Sequence, residues 1–241
     1  MSLGISVIIP VFNESHIISR TIRHIRNFEL RESDEIIVVD GNPKKNTIAS
    51  ITDTTIKKVS STIGRGAQMN QGAKLARGEI LLFLHADTRL AFDALNRIEN
   101  TLDNPGVIGG AFDLGIQSDR FAYRLIEAVA SYRSRVTRIP YGDQAIFIRK
   151  AYFERIGGYR EIPIMEDVEL MNRVKSQGGK IKIIRQPVMT SPRRWESEGI
   201  LYCTLRNWVL ITLYSLGVSP EKLARFYKIQ LKQSESRPLS L

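Results

Sequence analysis

A carboxylate that could hold a divalent cation follows an apolar strand pattern at residues 79–85. His85 and Asp87 alternate at the end of this strand, so both side chains project to the same side. Mg²⁺ and Mn²⁺ favour oxygen ligands and usually share their protein sites with substrate phosphates. A carboxylate at Asp87 can therefore hold a cation that also binds a diphosphate. The alternative is that Asp87 only caps the helix that follows.

An adjacent pair of acidic residues is a second candidate for chemistry. Glu166 and Asp167 follow the apolar segment 162–165 and open a predicted helix. Carboxylates at a helix start can simply complement the helix dipole. In a partly closed cleft, a carboxylate can instead act as a general base that removes a proton from an attacking hydroxyl. The sequence pattern alone leaves both functions open.

Basic residues in two predicted loops complete the candidates. The motif Gly64-Arg65-Gly66 matches neither common phosphate-binding fingerprint and is typical of a turn that leads into a helix. The loop predicted at 187–199 contains Arg193-Arg194-Trp195. These three residues form either a solvated charged run or a lid, in which guanidinium groups bind a diphosphate while the indole stacks on the substrate.

The elements that must position these residues alternate between strands and helices. The first ninety residues predict the order β-α-β-β-α-β, which implies a mostly parallel, right-handed sheet covered on both faces. Ligands of such sheets bind beyond the carboxyl ends of the strands. Those ends are Pro10 to Glu14, Asp40, and His85 to Asp87. This half therefore resembles a Rossmann-like nucleotide domain, whereas the second half is more mixed.

Composition narrows the class of protein. The chain has 241 residues, of which 43% are hydrophobic and 25% charged, as in ordinary globular proteins. The single cysteine, Cys203, excludes an intramolecular disulfide and a multi-cysteine zinc site. A net charge of +10 indicates phosphate-rich partners such as nucleotides, nucleic acid or an anionic membrane. The apolar run 5–12 is short, contains Pro10 and follows no basic segment, which predicts no signal peptide and a cytoplasmic location.

Four segments in a fixed order connect these features. They are I-S-V-I-I-P-V-F-N-E at 5–14, I-V-V-D-G at 37–41, the stretch 64–87 and M-E-D at 165–167. Together they closely resemble the inverting family 2 glycosyltransferases, which have the GT-A fold, over about residues 4 to 195. The H-A-D-T and R-R-W motifs are most similar to those of small, stand-alone bacterial members of that family.

The resemblance implies a donor pocket at the strand ends, filled by a nucleotide-sugar with UDP as the expected nucleotide. Asp87 would hold Mn²⁺ or Mg²⁺ against the donor diphosphate, and Arg65 would approach the base or a phosphate. His85 stands where the family usually has the first aspartate of D-x-D, which alters the contacts expected with the ribose. The other residues implied at the nucleotide are Pro10, Phe12, Glu14, Ala86 and Asp40, the last as a contact of the base.

On the opposite side of the sugar, the resemblance implies that Asp167 is the catalytic base, supported by Glu166. A single displacement would then invert the anomeric centre. Gln144 would face the donor sugar or the acceptor.

The resemblance also implies that the R-R-W loop faces the acceptor or the diphosphate through Arg193, Arg194 and Trp195. The last two residues match the end of the [QR]-x-x-R-W motif of processive members, but Ser191 stands at its first position. This mismatch, together with the lack of predicted channel segments, favours a non-processive enzyme.

The predicted organisation is one GT-A domain with a helical extension. The domain covers 4–195, with a nucleotide-binding half at 4–90 and an acceptor half at 91–195, and C-terminal helices follow at 196–233. From Lys180 onward the chain has eleven basic and four acidic residues. The helices could pack on the domain, on a second subunit in a homodimer, or on an anionic membrane surface. Peripheral membrane contact would suit a lipid-linked acceptor.

Three other functions compete with sugar transfer. A sugar-1-phosphate nucleotidyltransferase would need a glycine-rich loop with arginine and lysine after the first strand, where this chain has Asn13-Glu14-Ser15-His16. A nucleic-acid or anionic-lipid binder rests on charge alone, and no nucleic-acid motif is evident, so no nucleic acid partner is expected. An inactive glycosyltransferase-like scaffold rests on the replacement at His85.

Overall fold

A mixed sheet of seven strands forms the centre of the protein in a computed structural model that describes residues 3–235, with side chains as far as residue 227. The strands are β1 (Ile5–Val11), β2 (Glu35–Asp40), β3 (Lys57–Ser60), β4 (Ile80–Phe83), β5 (Val107–Ile116), β6 (Phe147–Arg149) and β7 (Lys180–Thr190). Their order in the sheet is β3-β2-β1-β4-β6-β5-β7. The first four are parallel, β6 is antiparallel to both its neighbours, and β7 is parallel to β5.

Helices connect the strands and extend the chain beyond the sheet. They are α1 (Ile18–Arg26), α2 (Asn46–Ala49), α3 (Arg65–Leu75), α4 (Ala94–Leu102), α5 (Phe121–Thr137), α6 (Lys150–Arg155), α7 (Glu166–Ser176), α8 (Arg193–Glu198), α9 (Ile200–Ser215) and α10 (Pro220–Glu235). A 3₁₀ turn at Gly142–Gln144 precedes β6.

Two apolar layers cover the two faces of the sheet. Val7 and Ile9 of β1 pack in the layer that contains α1 and α4, whereas Ile8 packs in the layer that contains α3 and α7. Successive side chains of a strand point to opposite faces, which explains why β1 is an uninterrupted apolar run. Helix α3 lies so close to the sheet that a Cβ on Gly72 would clash with Ile8 Cγ2.

The element order predicted for the first half is observed, with α2 added in the loop after β2. The second half differs more. The strand predicted at 180–185 continues to Thr190 because β7 pairs with β5 as far as Ile116. The segment predicted as a loop at 187–199 therefore contains the end of a strand and the short helix α8.

The C-terminal helices are joined by a buried ion pair. Arg206 of α9 pairs with Glu198 of α8, and both side chains are almost fully buried. The guanidinium of Arg206 also lies 4.6 Å from the ring centre of Tyr227 in α10. Over the described part of the chain, no helix has the length and apolar character needed to cross a bilayer. The division of 4–195 into halves at residue 90, and the role of 196–233, remain predictions.

Candidate functional site

The carboxyl ends of three parallel strands bring the first group of predicted residues to one edge of the sheet. β1 lies between β2 and β4, and Val11 at its end is paired with Asp40. Glu14, Asp40 and Asp87 therefore belong to three neighbouring strand ends and loops, the location where ligands of open α/β sheets bind.

Asp40 builds the loop that follows β2. Its side chain is fully buried, and one oxygen accepts a hydrogen bond from the backbone N–H of Asn42 at 2.9 Å. The other oxygen accepts from Thr47 and Ile48 at 3.0 and 3.2 Å, at the start of α2. This carboxylate explains why a helical turn forms in the loop. Because Asp40 is fully buried, its predicted contact with a base would require the loop to open.

The other residues predicted at the nucleotide differ in exposure. The ring of Phe12 is 43% exposed at the end of β1, so one of its faces is available to stack on a base. Pro10 is half-buried. Ala86 is buried, and its carbonyl accepts a hydrogen bond from the hydroxyl of Thr21. Ala86 therefore fixes the loop after β4 through its backbone.

Arg193 connects the start of α8 to two carboxylates at the strand ends. Its guanidinium donates to Asp87 Oδ2 at 2.9 Å and lies 3.6 Å from Glu14 Oε2. A third contact joins it to His16 Nε2 at 3.2 Å. Burial raises the pKa of Glu14, and the charge of Asp87 adds to this, although Arg193 opposes it. The two carboxylates thus form an acidic pair that already accommodates one positive group.

Gly142 lies between the loop after β4 and the acidic start of α7. A Cβ on Gly142 would be 3.0 Å from His85 Nε2 and 3.4 Å from Asp167 Oδ2. The backbone N–H of Gly142 donates to Asp167 Oδ2 at 2.6 Å, and that of Val168 donates to Asp167 Oδ1 at 2.7 Å. Gly142 therefore links His85, two residues before the cation candidate Asp87, to the base candidate Asp167, and each oxygen of Asp167 is oriented by a backbone donor.

His85 contributes no positive charge to this site. Burial lowers the pKa of its imidazole, and the nearby guanidinium groups of Arg65 and Arg194 lower it further, while Asp87 opposes them. The ring is therefore neutral at physiological pH and can both donate and accept a hydrogen bond.

Glu166 differs from its neighbour Asp167 in its environment. Its side chain is buried, and burial together with the charge of Asp167 raises its pKa to about 7. Arg65, at the start of α3, lies 3.9 Å from Glu166 and opposes this shift. Near neutral pH, Glu166 therefore carries only part of a negative charge beside Asp167.

Asp143 is a site residue that the sequence patterns did not select. It lies in the 3₁₀ turn next to Gly142, and its Oδ1 is buried without a hydrogen bond to any residue that the structure describes. Burial and the charge of Asp167 raise its pKa to about 6, against the opposing charges of Arg133 and others. The sequence feature that could have identified Asp143 is the polar Gly-Asp pair shortly before the buried strand β6.

Replacing Asp143 by asparagine is expected to stabilise the fold increasingly as pH rises. The folded-state pKa of about 6 lies above the ordinary value of 3.8, so the folded chain holds this proton more tightly than the unfolded chain. Ionisation between about pH 4 and about pH 7 therefore costs stability on the order of 3 kcal/mol, which a neutral amide avoids. Urea unfolding of both proteins across this range would measure it. A stability difference that does not change with pH would contradict the shift.

Gln144 does not face the site as predicted. Its side chain is fully buried, and Oε1 accepts from Ser134 Oγ at 2.7 Å and from the backbone N–H of Tyr141 at 3.1 Å. Its Nε2 donates to the carbonyl of Phe112 at 2.8 Å. Gln144 therefore joins the 3₁₀ turn to α5 and β5, and in this conformation it has no free group to offer a sugar.

Replacing Gln144 by alanine is expected to lower the free energy of unfolding by about 2–4 kcal/mol. The change removes Gln144 as the partner of the buried carbonyl of Phe112 and of the backbone N–H of Tyr141, and each such group costs roughly 1–3 kcal/mol. Urea unfolding monitored by circular dichroism would measure the loss. A variant with normal stability but a raised KM for the acceptor would instead restore the predicted substrate contact.

The R-R-W residues point in three directions. Arg193 reaches the acidic pair, whereas Arg194 is exposed and lies 5.9 Å from the ring centre of Tyr227. Trp195 packs edge-on against the buried ring of Tyr123 in α5, with 6.0 Å between ring centres. Arg193 is thus part of the site, while Trp195 attaches α8 to α5.

Solved glycosyltransferases share this fold. Mannosyltransferase PcManGT from Pyrobaculum calidifontis, solved in complex with GDP-Man and Mn²⁺, has a TM-score of 0.62 and 19% identity over 100% of this chain and 77% of its own. S. aureus TarS 1-349, solved in complex with UDP-GlcNAc, has a TM-score of 0.60 and 16% identity over 78% of this chain and 58% of its own. At these identities the likeness concerns the fold alone. The predicted α/β GT-A fold is confirmed.

Sequence relatives of known activity are glycosyltransferases of greater length. Dolichyl-phosphate beta-glucosyltransferase of Dictyostelium discoideum is 27% identical over 144 residues, which are 51% of this chain and 44% of that protein. Poly(ribitol-phosphate) beta-glucosyltransferase of Bacillus spizizenii is 30% identical over 107 residues, 41% of this chain and 17% of that protein. This chain therefore spans less than half the length of either relative.

A family model covers most of the domain. The model of glycosyl transferase family 2 matches residues 6–160, which is more than half of the chain. The chain belongs to glycosyl transferase family 2. This favours sugar transfer over nucleotidyl transfer and over a non-enzymatic binding function. The match includes the acidic pair at Glu14 and Asp87 but ends before Asp167.

Proposed function

We propose that the protein is a metal-dependent, inverting and non-processive glycosyltransferase. It would move a sugar from a nucleoside-diphosphate sugar, with UDP as the expected nucleotide, to a hydroxyl group of an acceptor. The position of Gly142, in contact with both His85 and Asp167, carries this proposal. This contact supports a sugar lying between the loop of Asp87 and a candidate base.

The acidic pair, Glu14 and Asp87, has the type of ligand atom that a divalent cation prefers. Glu14 and Asp87 present carboxylate oxygens, the ligands that Mg²⁺ and Mn²⁺ favour, and a guanidinium already binds both. Over the described residues, no cluster of three or more His, Cys, Asp or Glu side chains could hold a metal alone. The diphosphate of the donor would therefore supply further ligands, as is usual for magnesium sites. The Mn²⁺ in the PcManGT complex supports the choice of cation.

Asp87 would hold the cation, with Glu14 beside it. When bound, the cation would supply positive charge against the developing charge of the leaving diphosphate. Arg193 would release the acidic pair and bind the diphosphate, joined by Arg65 or the exposed Arg194. Phe12 would stack on the base at the end of β1.

Asp167 would remove the proton of the acceptor hydroxyl. The backbone N–H groups of Gly142 and Val168 fix the orientation of its carboxylate, and its neighbour Glu166, whose pKa is raised to about 7 by burial and by the charge of Asp167, is partly neutral near pH 7. The acceptor oxygen would attack the anomeric carbon on the face opposite the diphosphate. One such displacement inverts the configuration of that carbon.

The acceptor we propose is lipid-linked, and the protein would act at the cytoplasmic face of a membrane. Two relatives are named as glucosyltransferases of dolichyl-phosphate and of poly(ribitol-phosphate). These names support a lipid or polymer acceptor. Exposed apolar residues on α9, among them Leu201, Leu205 and Trp208, support a contact of the C-terminal helices with a membrane surface or with a second subunit.

A calorimetric panel of UDP, GDP, CDP and their sugars, with and without Mn²⁺, tests the donor half of the proposal. We expect one nucleoside diphosphate to bind at least about tenfold more tightly when Mn²⁺ is present. Proton NMR of the product then reports the anomeric configuration, which should be opposite to that of the donor. Binding that is equal for all nucleotides and indifferent to metal would reject a metal-dependent donor site. A product with the donor's configuration would reject the single displacement.

A further inference from the structure

Helix α5 has its apolar side facing outward. Five large apolar residues are exposed along one face at positions i, i+4, i+8, i+11 and i+15: Phe121, Leu125, Val129, Tyr132 and Val136. Their exposed fractions range from 39% to 84%. Surface helices of globular proteins normally turn this stripe toward the core. We refer to these five residues as the α5 stripe.

The face of α5 that packs on the sheet carries polar side chains, and these side chains form hydrogen bonds with β5. β6 pairs with β5 only at Gly109 and Gly110. The backbone groups on that edge of β5 beyond Gly110 can therefore bond to side chains of α5. Ser131 Oγ accepts from the N–H of Leu114 at 3.0 Å, and Glu127 accepts from the N–H of Ile116 at 2.6 Å. These bonds fix the rotation of the helix. The α5 stripe is therefore held outward by the fold rather than exposed by a loose helix.

The charges around the stripe are mainly positive. Residues 119–138 contain five arginines and two acidic residues. Arg120 and Arg138 are exposed at the two ends of the helix, whereas Arg124, also exposed, is paired with Glu127. A two-fold contact between two copies of the stripe, with the helices antiparallel, would bring the arginines of one end against those of the other. The same arginines complement a negatively charged surface.

We propose that the α5 stripe docks on an anionic lipid bilayer. The apolar side chains would enter the boundary between headgroups and acyl chains, as those of interfacial amphipathic helices do, while the flanking arginines contact anionic headgroups. The proposal deepens the lipid-linked acceptor of the proposed function but does not depend on it, since bilayer binding can be measured without any donor or acceptor.

The stripe also stands close to the site. Ser134, on the inner face of α5, donates to Gln144 in the turn that carries Asp143, and Gly142 of that turn bonds Asp167. Helix α5 and this turn therefore lie between the docked surface and the candidate base. An acceptor anchored in the same bilayer would reach the site along this side of the protein.

Sedimentation of the full chain with vesicles tests the proposal. Vesicles of equal parts phosphatidylglycerol and phosphatidylcholine, at low ionic strength, should bind the protein, and vesicles of phosphatidylcholine alone should bind it much less. The double variant Leu125→Glu/Tyr132→Glu removes two apolar contacts and adds two negative charges. Its partition onto the anionic vesicles should fall at least about tenfold.

A control with the same change in charge separates the stripe from net charge. Asn96→Glu/Asn100→Glu adds two acidic residues at exposed positions of α4, and it should retain wild-type binding to within about threefold. Circular dichroism and donor affinity should be unchanged in both variants, because the four positions are exposed and outside the proposed site.

Three results would overturn the proposal. They are wild-type binding by the α5 variant, no binding of the wild type to anionic vesicles, and a dimer in ultracentrifugation that the α5 variant abolishes. Each concerns the surface alone, whereas failure of the donor panel concerns the enzyme activity.

Discussion

Replacing Asp167 by asparagine is expected to lower turnover at least about a hundredfold while donor affinity changes little. The carboxylate is the proposed acceptor of the proton from the attacking hydroxyl, and an amide cannot take that role. Its two oxygens accept from the N–H groups of Gly142 and Val168, so the charge is oriented before any substrate binds. Transfer of radiolabelled sugar and calorimetry of donor binding would measure the two effects separately.

The neighbouring residue provides the matched control. Glu166→Gln removes a buried carboxyl group that is already partly neutral, with a pKa of about 7, and that lies 3.9 Å from Arg65. We expect a decrease in turnover of no more than about tenfold. The side chain of an asparagine at position 167 can accept a hydrogen bond from only one of the two N–H groups, those of Gly142 and Val168, that donate to Asp167. Thermal unfolding must therefore show that the Asp167→Asn variant remains folded. If turnover falls more in Glu166→Gln than in Asp167→Asn, the base is Glu166.

The sequence was informative about the donor side because its residues follow parallel strands directly. Continuous apolar runs locate the ends of β1, β2 and β4, and the parallel arrangement brings those ends to one edge of the sheet. Asp87 is in this region because of its place in the chain, and so is Glu14. What the pattern could not predict is that one guanidinium, from Arg193 more than a hundred residues beyond Asp87, binds both carboxylates.

The 3₁₀ turn shows why residues between elements are harder to assign. Asp143 and Gln144 are adjacent and both polar, so composition favours neither as the site residue. The difference comes from packing, because Ser134 of α5 and the carbonyl of Phe112 bind the amide of Gln144 and direct it inward. Asp143 is left beside Asp167. The inward amide of Gln144 and the outward stripe of α5 both depend on tertiary contacts between α5, β5 and the turn, which no local sequence period encodes.

Replacing Asp87 by alanine is expected to remove the effect of Mn²⁺ on donor binding. In the wild type, the carboxylate would hold the cation against the diphosphate, so its loss should weaken donor binding in the presence of Mn²⁺ at least about a hundredfold. Without metal, the two proteins should differ much less. Calorimetric titration of the preferred nucleotide-sugar, at several metal concentrations, would measure the metal-dependent component directly.

Arg193→Ala distinguishes the cation ligand from the group that covers it. This change also breaks the 2.9 Å contact at Asp87, but it leaves the carboxylates of Asp87 and Glu14 in place. Mn²⁺ should therefore still strengthen donor binding, and the affinity of the donor-free protein for Mn²⁺ should rise because a competing positive charge is gone. Donor binding by Asp87→Ala that still responds to Mn²⁺ as in the wild type would mean that the cation is held elsewhere. Loss of the metal effect in Arg193→Ala but not in Asp87→Ala would mean that the guanidinium, rather than the carboxylate, organises the diphosphate.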